Sequence, residues 1–154
     1  WINTASGAIF VCVDSADGAA VWQEVSSTGT DPAIKLLNTQ TGIDCTATGQ
    51  TVVYTVPAAT TTYVTQMLVE ITTITGGTGT ALFPKVSTGI GGTFDNIFVD
   101  TRIKGLDATT EFYHFNTSGV SAKGVAAEDI SFSVNTASNA TAYTVTVYVF
   151  GYNK

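Results

Sequence analysis

The chain has 154 residues, of which 44% are hydrophobic and 12% are charged, so it can form a packed core and is too apolar to be disordered. Its net charge is −6, and its six Lys and Arg residues do not cluster, which argues against nucleic acid as a partner. No apolar run approaches the ~20 residues that a membrane helix needs, so no membrane partner is expected either.

Abundant Thr and Val favour strands, because β-branched side chains fit a pleated surface, and the 15 glycines supply turns. The composition therefore predicts an all-β protein.

Residues 1–30 predict a small β-hairpin. Two apolar segments, 8–13 and 19–25, flank the turn signal "DSADG". An isolated two-stranded hairpin is only marginally stable in water, so this unit is expected to pack on the next domain or on copies of itself. Its large aromatic side chains are then candidates for a subunit interface: Trp1, Phe10 and Trp22.

Residues 31–38 are interpreted as a linker, and residues 39–154 as the main domain. The short apolar patch at 33–38 is compatible with either a strand or a single helical turn. Within the main domain, eight further segments are predicted as strands, at 50–56, 60–73, 81–87, 94–100, 111–116, 119–125, 129–135 and 143–152. Short strands joined by Gly-rich and Thr-rich turns predict an antiparallel β-sandwich of the jelly-roll type.

Alternation within these strands predicts which side chains face the core. In segment 50–56 the inward face is expected to carry Val52, Tyr54 and Val56. In segment 60–73 it is expected to carry Tyr63, Met67, Val69 and Ile71. In segment 129–135, Ile130, Phe132 and Val134 are expected to face inward, and Asp129, Ser131, Ser133 and Asn135 outward.

The last strand is apolar on both faces. One face holds Tyr143, Val145, Val147 and Val149, and the other holds Thr144, Thr146, Tyr148, Phe150 and Tyr152. A strand of this kind is covered on both sides. Either a second subunit or another segment of the same chain could cover the second face. Tyr148, Phe150 and Tyr152 are therefore further candidates for the subunit interface.

The residues do not form a recognisable catalytic, cofactor or metal motif. The single histidine, His114 in "EFYHFN", has too few potential partners for a zinc site, and no nucleophile elbow or phosphate loop is present. His114 is interpreted as an ordinary strand residue, with glycan contact by Tyr113 and His114 as the alternative. The chain is predicted not to be an enzyme and to need no cofactor or metal.

Two cysteines, Cys12 and Cys45, fall in different segments and form no CxxC pair. Two buried thiols and one Cys12–Cys45 disulfide are both compatible with this spacing.

The opening stretch "WINTASGAIFVCVDSADGAAVWQEV" resembles a short module common in bacteriophage structural proteins. The shared pattern is Trp-Ile/Val-Asn-Thr, an apolar run with Cys, and Gly-Ala-Ala-x-Trp, which lie here at residues 1–4, 9–14 and 18–22. The resemblance covers about a sixth of the chain. It implies a unit that precedes a C-terminal β domain, often in a trimer, and a Trp at position 1 that lies within a longer virion protein. It also favours free thiols, because tailed phages assemble in a reducing cytoplasm.

The expected function is that of a phage virion structural protein: a distal fibre, spike or tail-associated domain that takes part in assembly and contacts the host surface. Its expected partners are two copies of itself, other virion proteins and a host surface glycan. The alternatives are a capsid or decoration jelly-roll protein and a carbohydrate-binding module.

Overall fold

The computed structural model describes residues 10–14, 21–24, 34–93, 95–116 and 122–154. The chain divides into two compact units, Trp1–Ala33 and Ile34–Lys154. In the first unit, strands β1 (Phe10–Asp14) and β2 (Val21–Glu24) pair antiparallel, which confirms the predicted hairpin.

The described part of the second unit is built from nine strands and one 3₁₀ turn, Gly79–Leu82. The strands are β3 (Lys35–Asp44), β4 (Gly49–Thr55), β5 (Thr61–Thr75), β6 (Lys85–Ile90), β7 (Phe98–Arg102), β8 (Phe112–Asn116), β9 (Ala122–Val125), β10 (Asp129–Thr136) and β11 (Ala142–Asn153).

These strands form two antiparallel sheets. The first has the order β3-β11-β5-β8, with β9 also paired to β5, and the second has the order β4-β10-β6-β7. Strands β8 and β9 pair with successive parts of β5, so together they occupy one strand position. Counted in chain order, the eight positions follow the orders 1-8-3-6 and 2-7-4-5, which is the jelly-roll arrangement. The predicted β-sandwich is therefore confirmed.

Inward-facing side chains of both sheets form one core. Strand β11 contributes Tyr143, Val145, Val147 and Val149, all without exposed surface, as the alternation predicts. Opposite them, β10 contributes Ile130, Phe132 and Val134. Because β10 and β11 are interior strands of their sheets, these residues lie at the centre of the sandwich.

Two β-bulges correct the predicted faces. On β4 the register shifts beside Val53, so Val53 is fully buried while Val52 is 46% exposed. On β5 the register shifts beside Thr65, so Tyr63 lies on the outer face and Val64 in the core. A bulge inserts one residue into the alternation and reverses the facing of everything beyond it.

Two predicted boundaries are also corrected. Strand β3 begins at Lys35, inside the predicted linker 31–38, because its pairing with β11 starts at Gly151. Segment 81–87 was predicted to be a strand from its first residue. Its beginning belongs instead to the 3₁₀ turn Gly79–Leu82, and β6 starts at Lys85.

The loops that follow β3, β5, β7 and β10 meet at one end of the sandwich, which we call the loop end. Ser138 N–H donates to Cys45 O at 2.8 Å, and Asn139 N–H donates to Ala81 O at 2.9 Å. Tyr143 OH donates to Leu106 O at 3.1 Å. The first two bonds join the loop after β10 to the loops after β3 and β5, and the third joins the loop after β7 to the start of β11. Lys35 and its partner Gly151 lie at the opposite end.

Candidate functional site

The outer surface of the sheet β3-β11-β5-β8 carries three of the six predicted interface residues, Tyr148, Phe150 and Tyr152. Its apolar and aromatic side chains, together with one histidine, form what we call the aromatic face: Leu36, Leu68, Phe112, His114, Tyr148 and Phe150. Residues directly opposite each other on neighbouring strands share a face. Phe150 pairs with Leu36 of β3, and Tyr148 pairs with Leu68 of β5.

This face retains exposed apolar surface. Phe112 is 52% exposed and Leu36 is 48% exposed, while Tyr148 and Phe150 are half-buried by their neighbours in the sheet. Exposed apolar side chains that share one surface are candidates for an interaction site. The structure thus brings Tyr148 and Phe150 together on one surface, as predicted.

Polar groups within the aromatic face bind one another. Tyr148 OH donates to Glu70 Oε2 at 2.5 Å, and His114 Nε2 lies 3.2 Å from Gln66 Oε1. The bond to Glu70 raises the pKa of Tyr148, so the phenol keeps its proton and continues to donate to the carboxylate. A carboxylate that accepts such a hydrogen bond costs less free energy to bury in an apolar interface than a carboxylate without a hydrogen-bond partner.

Tyr152 lies at the end of the same face and has a partner within the chain. Its ring stacks on Tyr63 with centroids 4.9 Å apart, and Lys154 Nζ lies 6.0 Å from both ring centroids. Stacked aromatic pairs stabilise each other beyond the area that they bury. Of the three candidates on β11, Tyr152 therefore depends least on a second subunit.

The other three interface candidates belong to the first unit. Trp1 and the side chains of Phe10 and Trp22 lie outside the described residues, although Phe10 and Trp22 belong to the backbone of the β1–β2 pair. Their role at an interface stays a prediction.

The two residues predicted as an alternative glycan contact do not come together. Tyr113 and His114 are neighbours in β8, so they point to opposite faces of the sheet. The Tyr113 ring packs against the core, 4.8 Å from the Phe115 ring, while His114 is exposed on the aromatic face. A single sugar cannot contact both side chains from one side of the sheet.

Acidic side chains near the ends of the sandwich stabilise turns. Glu111 Oε2 accepts the backbone N–H groups of Asp107 and Ala108, at 2.8 and 3.0 Å. Glu128 Oε2 accepts the N–H of Val125 at 2.7 Å. Among the described residues, no three His, Cys, Asp or Glu side chains are grouped closely enough to hold a metal ion. The same residues include no helix with the length and hydropathy of a membrane span.

No protein-family model, no curated protein and no solved structure matches this chain.

The outer surface of the second sheet carries a polar cluster that was not singled out by the sequence. Asn135 Nδ2 donates to Ser87 Oγ at 2.8 Å and to Asp100 Oδ1 at 3.1 Å. Asp100 also pairs with Lys85 at 3.1 Å. The bond from Asn135 and the charge of Lys85 hold the pKa of Asp100 below its usual range. The second sheet also exposes Val52 and Val99, but none of the exposed large apolar side chains described on it is aromatic.

Cys45 is fully buried at the loop end, and its thiol is free. Burial, with a smaller effect of the charge on Asp44, raises the pKa of the Cys45 thiol to about 12. The thiolate is the reactive form, so the native thiol should react very slowly at pH 8.

Alkylation with iodoacetamide at pH 8, read by intact mass, tests this thiol. Native protein should leave Cys45 unlabelled, and protein in denaturant should take up two labels whether or not reductant is added. If denatured protein takes up label only after reduction, Cys12 and Cys45 are bridged and the prediction of free thiols is wrong.

Proposed function

We propose that this chain is a homotrimeric structural domain of a bacteriophage virion, at the distal part of a fibre, spike or tail, where it supports assembly and contacts the host surface. The aromatic face carries the proposal. The resemblance of residues 1–22 to the phage module supports the choice of a virion and of threefold assembly.

A second copy of the chain fits the aromatic face better than a charged partner does. The face presents Leu36, Phe112 and Phe150 with few charges, and its carboxylate, Glu70, already accepts a hydrogen bond from Tyr148. Interface cores are depleted in charge and enriched in aromatic side chains. Copies of one chain meet through such a surface without burying unpaired charge.

Sedimentation velocity of residues 1–154 at micromolar concentration tests the trimer directly. A species of three times 16.0 kDa is expected. A folded monomer at that concentration would contradict the trimer and favour the alternatives.

The jelly-roll order supports a second candidate, a capsid or decoration protein, because viral capsid domains use this fold. The two roles differ in location. Electron microscopy of intact particles labelled with an antibody to the chain separates them: label along the shell indicates decoration, and label on fibres or tail indicates the proposed role.

We also propose that the domain has no catalytic activity, because Glu111 and Glu128 are engaged in holding turns. Incubation of the purified protein with polysaccharide from the host surface should release no oligosaccharide, as measured by chromatography of the soluble products. Release that is abolished by changing one carboxylate to its amide would show that the domain is a glycosidase.

A further inference from the structure

A depression of about 430 Å³ lies at the loop end of the second sheet, between the start of β4 and the end of β10. It is lined by Thr48, Gly49, Gln50, Ser133, Val134 and Asn135. Its volume falls within the range of about 300–1,000 Å³ that is typical of small-molecule sites.

Ser133 is the unusual member of this lining. Its neighbours in β10, Phe132 and Val134, face the core, so Ser133 points to the outer surface. It is nevertheless only 4% exposed, and no described residue gives its Oγ a hydrogen-bond partner. Buried hydroxyl groups almost always have such a partner, so an unpaired one at the floor of a depression points to a ligand.

The rest of the lining supplies matching polar groups. Gln50 is the cross-strand neighbour of Ser133 and is exposed, so its amide can both donate and accept. Asn135 Nδ2 already donates to Ser87 and Asp100, which leaves its Oδ1 as an acceptor. The set contains donors and acceptors side by side, and a sugar hydroxyl is both.

The charge around the depression is balanced. Asp100, the acidic group that Asn135 of the lining contacts, is paired with Lys85 at 3.1 Å and bonded by Asn135 at 3.1 Å. A charged ligand would find no unpaired counter-ion among these groups, so the depression favours a neutral one.

We infer that this depression, which we call the Ser133 pocket, binds one neutral pyranose unit of a host surface glycan through Ser133, Gln50 and Asn135. The inference deepens the host-contact part of the proposed function and rests on it for the choice of ligand. Ser133 Oγ has almost no exposed surface, so binding requires a neighbouring side chain to move aside. Gln50, which is exposed and pairs with Ser133 across the two strands, is the side chain expected to move.

The position of the pocket agrees with this role. It lies on the sheet opposite the aromatic face, so subunits that meet through the aromatic face leave the pocket open. It also lies at the end of the sandwich remote from Lys35, where the chain enters the domain.

Titration of ¹⁵N-labelled protein with glucose, galactose, mannose, N-acetylglucosamine and rhamnose, followed by NMR of the side-chain amides, tests the inference. At least one neutral sugar should shift the Gln50 and Asn135 amide signals with millimolar affinity, and glucuronate should shift them less. Ser133→Ala should weaken that binding roughly tenfold, the effect of one lost hydrogen bond.

Ser131→Ala is the matched control, because Ser131 is 3% exposed on the same side of β10 but does not line the pocket. It should bind as the wild type does. The inference is overturned if no sugar shifts the two amides at 100-fold molar excess, if the shifts map elsewhere, or if Ser133→Ala binds as tightly as Ser131→Ala.

Failure of this inference is separable from failure of the proposed function. A trimer that binds no sugar contradicts the pocket alone. A monomer that binds a sugar at Gln50 and Asn135 contradicts the fibre proposal and leaves the pocket as a carbohydrate-binding module.

Discussion

Replacing Tyr148 and Phe150 together by serine is expected to convert the proposed trimer into folded monomers. Both side chains lie at the centre of the aromatic face, where each would be covered by a neighbouring subunit. Loss of a buried aromatic side chain costs about 3–5 kcal/mol. Each side chain is already half-buried in the monomer, so about half of that cost, roughly 2 kcal/mol per residue, is lost at the interface, and the double variant should associate roughly 10³-fold more weakly. Sedimentation velocity should show a monomer, and circular dichroism should show an unchanged β signal.

A substitution on the other sheet provides the control. Val52 is 46% exposed on the outer side of β4, so Val52→Ser should leave the trimer intact. If the double variant unfolds instead of dissociating, the aromatic residues are covered within one chain, and the interface proposal is wrong. A double variant that still sediments as a trimer would place the interface elsewhere.

Phe132→Ala is expected to have the largest effect on the stability of the sandwich. Phe132 is fully buried at the centre of β10, between Thr51 of β4 and Thr88 of β6. The cavity left behind should lower the free energy of unfolding by about 3–5 kcal/mol. With a slope near 2 kcal/mol per M, the urea midpoint should fall by roughly 2 M.

This measurement is best made in the Tyr148→Ser/Phe150→Ser background, where unfolding does not depend on subunit concentration. Val99→Ala is the control, because Val99 is 69% exposed on the edge strand β7 and should change stability by less than about 0.5 kcal/mol. A similar loss in both variants would mean that Phe132 does not lie in the core.

Interior strands were the most predictable part of the fold. In β10 and β11 the alternation is unbroken at the core positions, so Ile130, Phe132 and Val134 face inward as predicted, and so does the corresponding face of β11. Both strands pair on two sides, and this fixes their register.

Bulged strands were less predictable, because the alternation of inward and outward residues does not show where a bulge inserts an extra residue. Val52 and Val53 are both apolar, so the sequence did not show which one faces the core. Tyr63 was placed on the wrong face for the same reason, since the bulge beside Thr65 is set by pairing with β11. The strand nature of 35–38 was likewise decided by a distant partner, β11.

The two candidate sites also differ in how far the sequence predicts them. The aromatic face was visible because Tyr148 and Phe150 break the rule that an exposed strand face is polar. The Ser133 pocket was not visible, because Ser133 was correctly placed on the outward side but is covered by its surroundings. The sequence does not show that an outward-facing serine is covered by its neighbours. The depression is also lined by Gln50, which is more than 80 positions away in the chain.

Lys35 and Gly151 pair side by side, so the first strand of the sandwich begins next to the end of the last one. The joined loops after β3, β5 and β10 lie at the other end, a full strand length away. Insertions or replacements in these loops can lengthen or reshape the tip without moving the Lys35–Gly151 pair. In the proposed fibre, this separation would let the recognition surface at the tip vary while the opposite end stays constant.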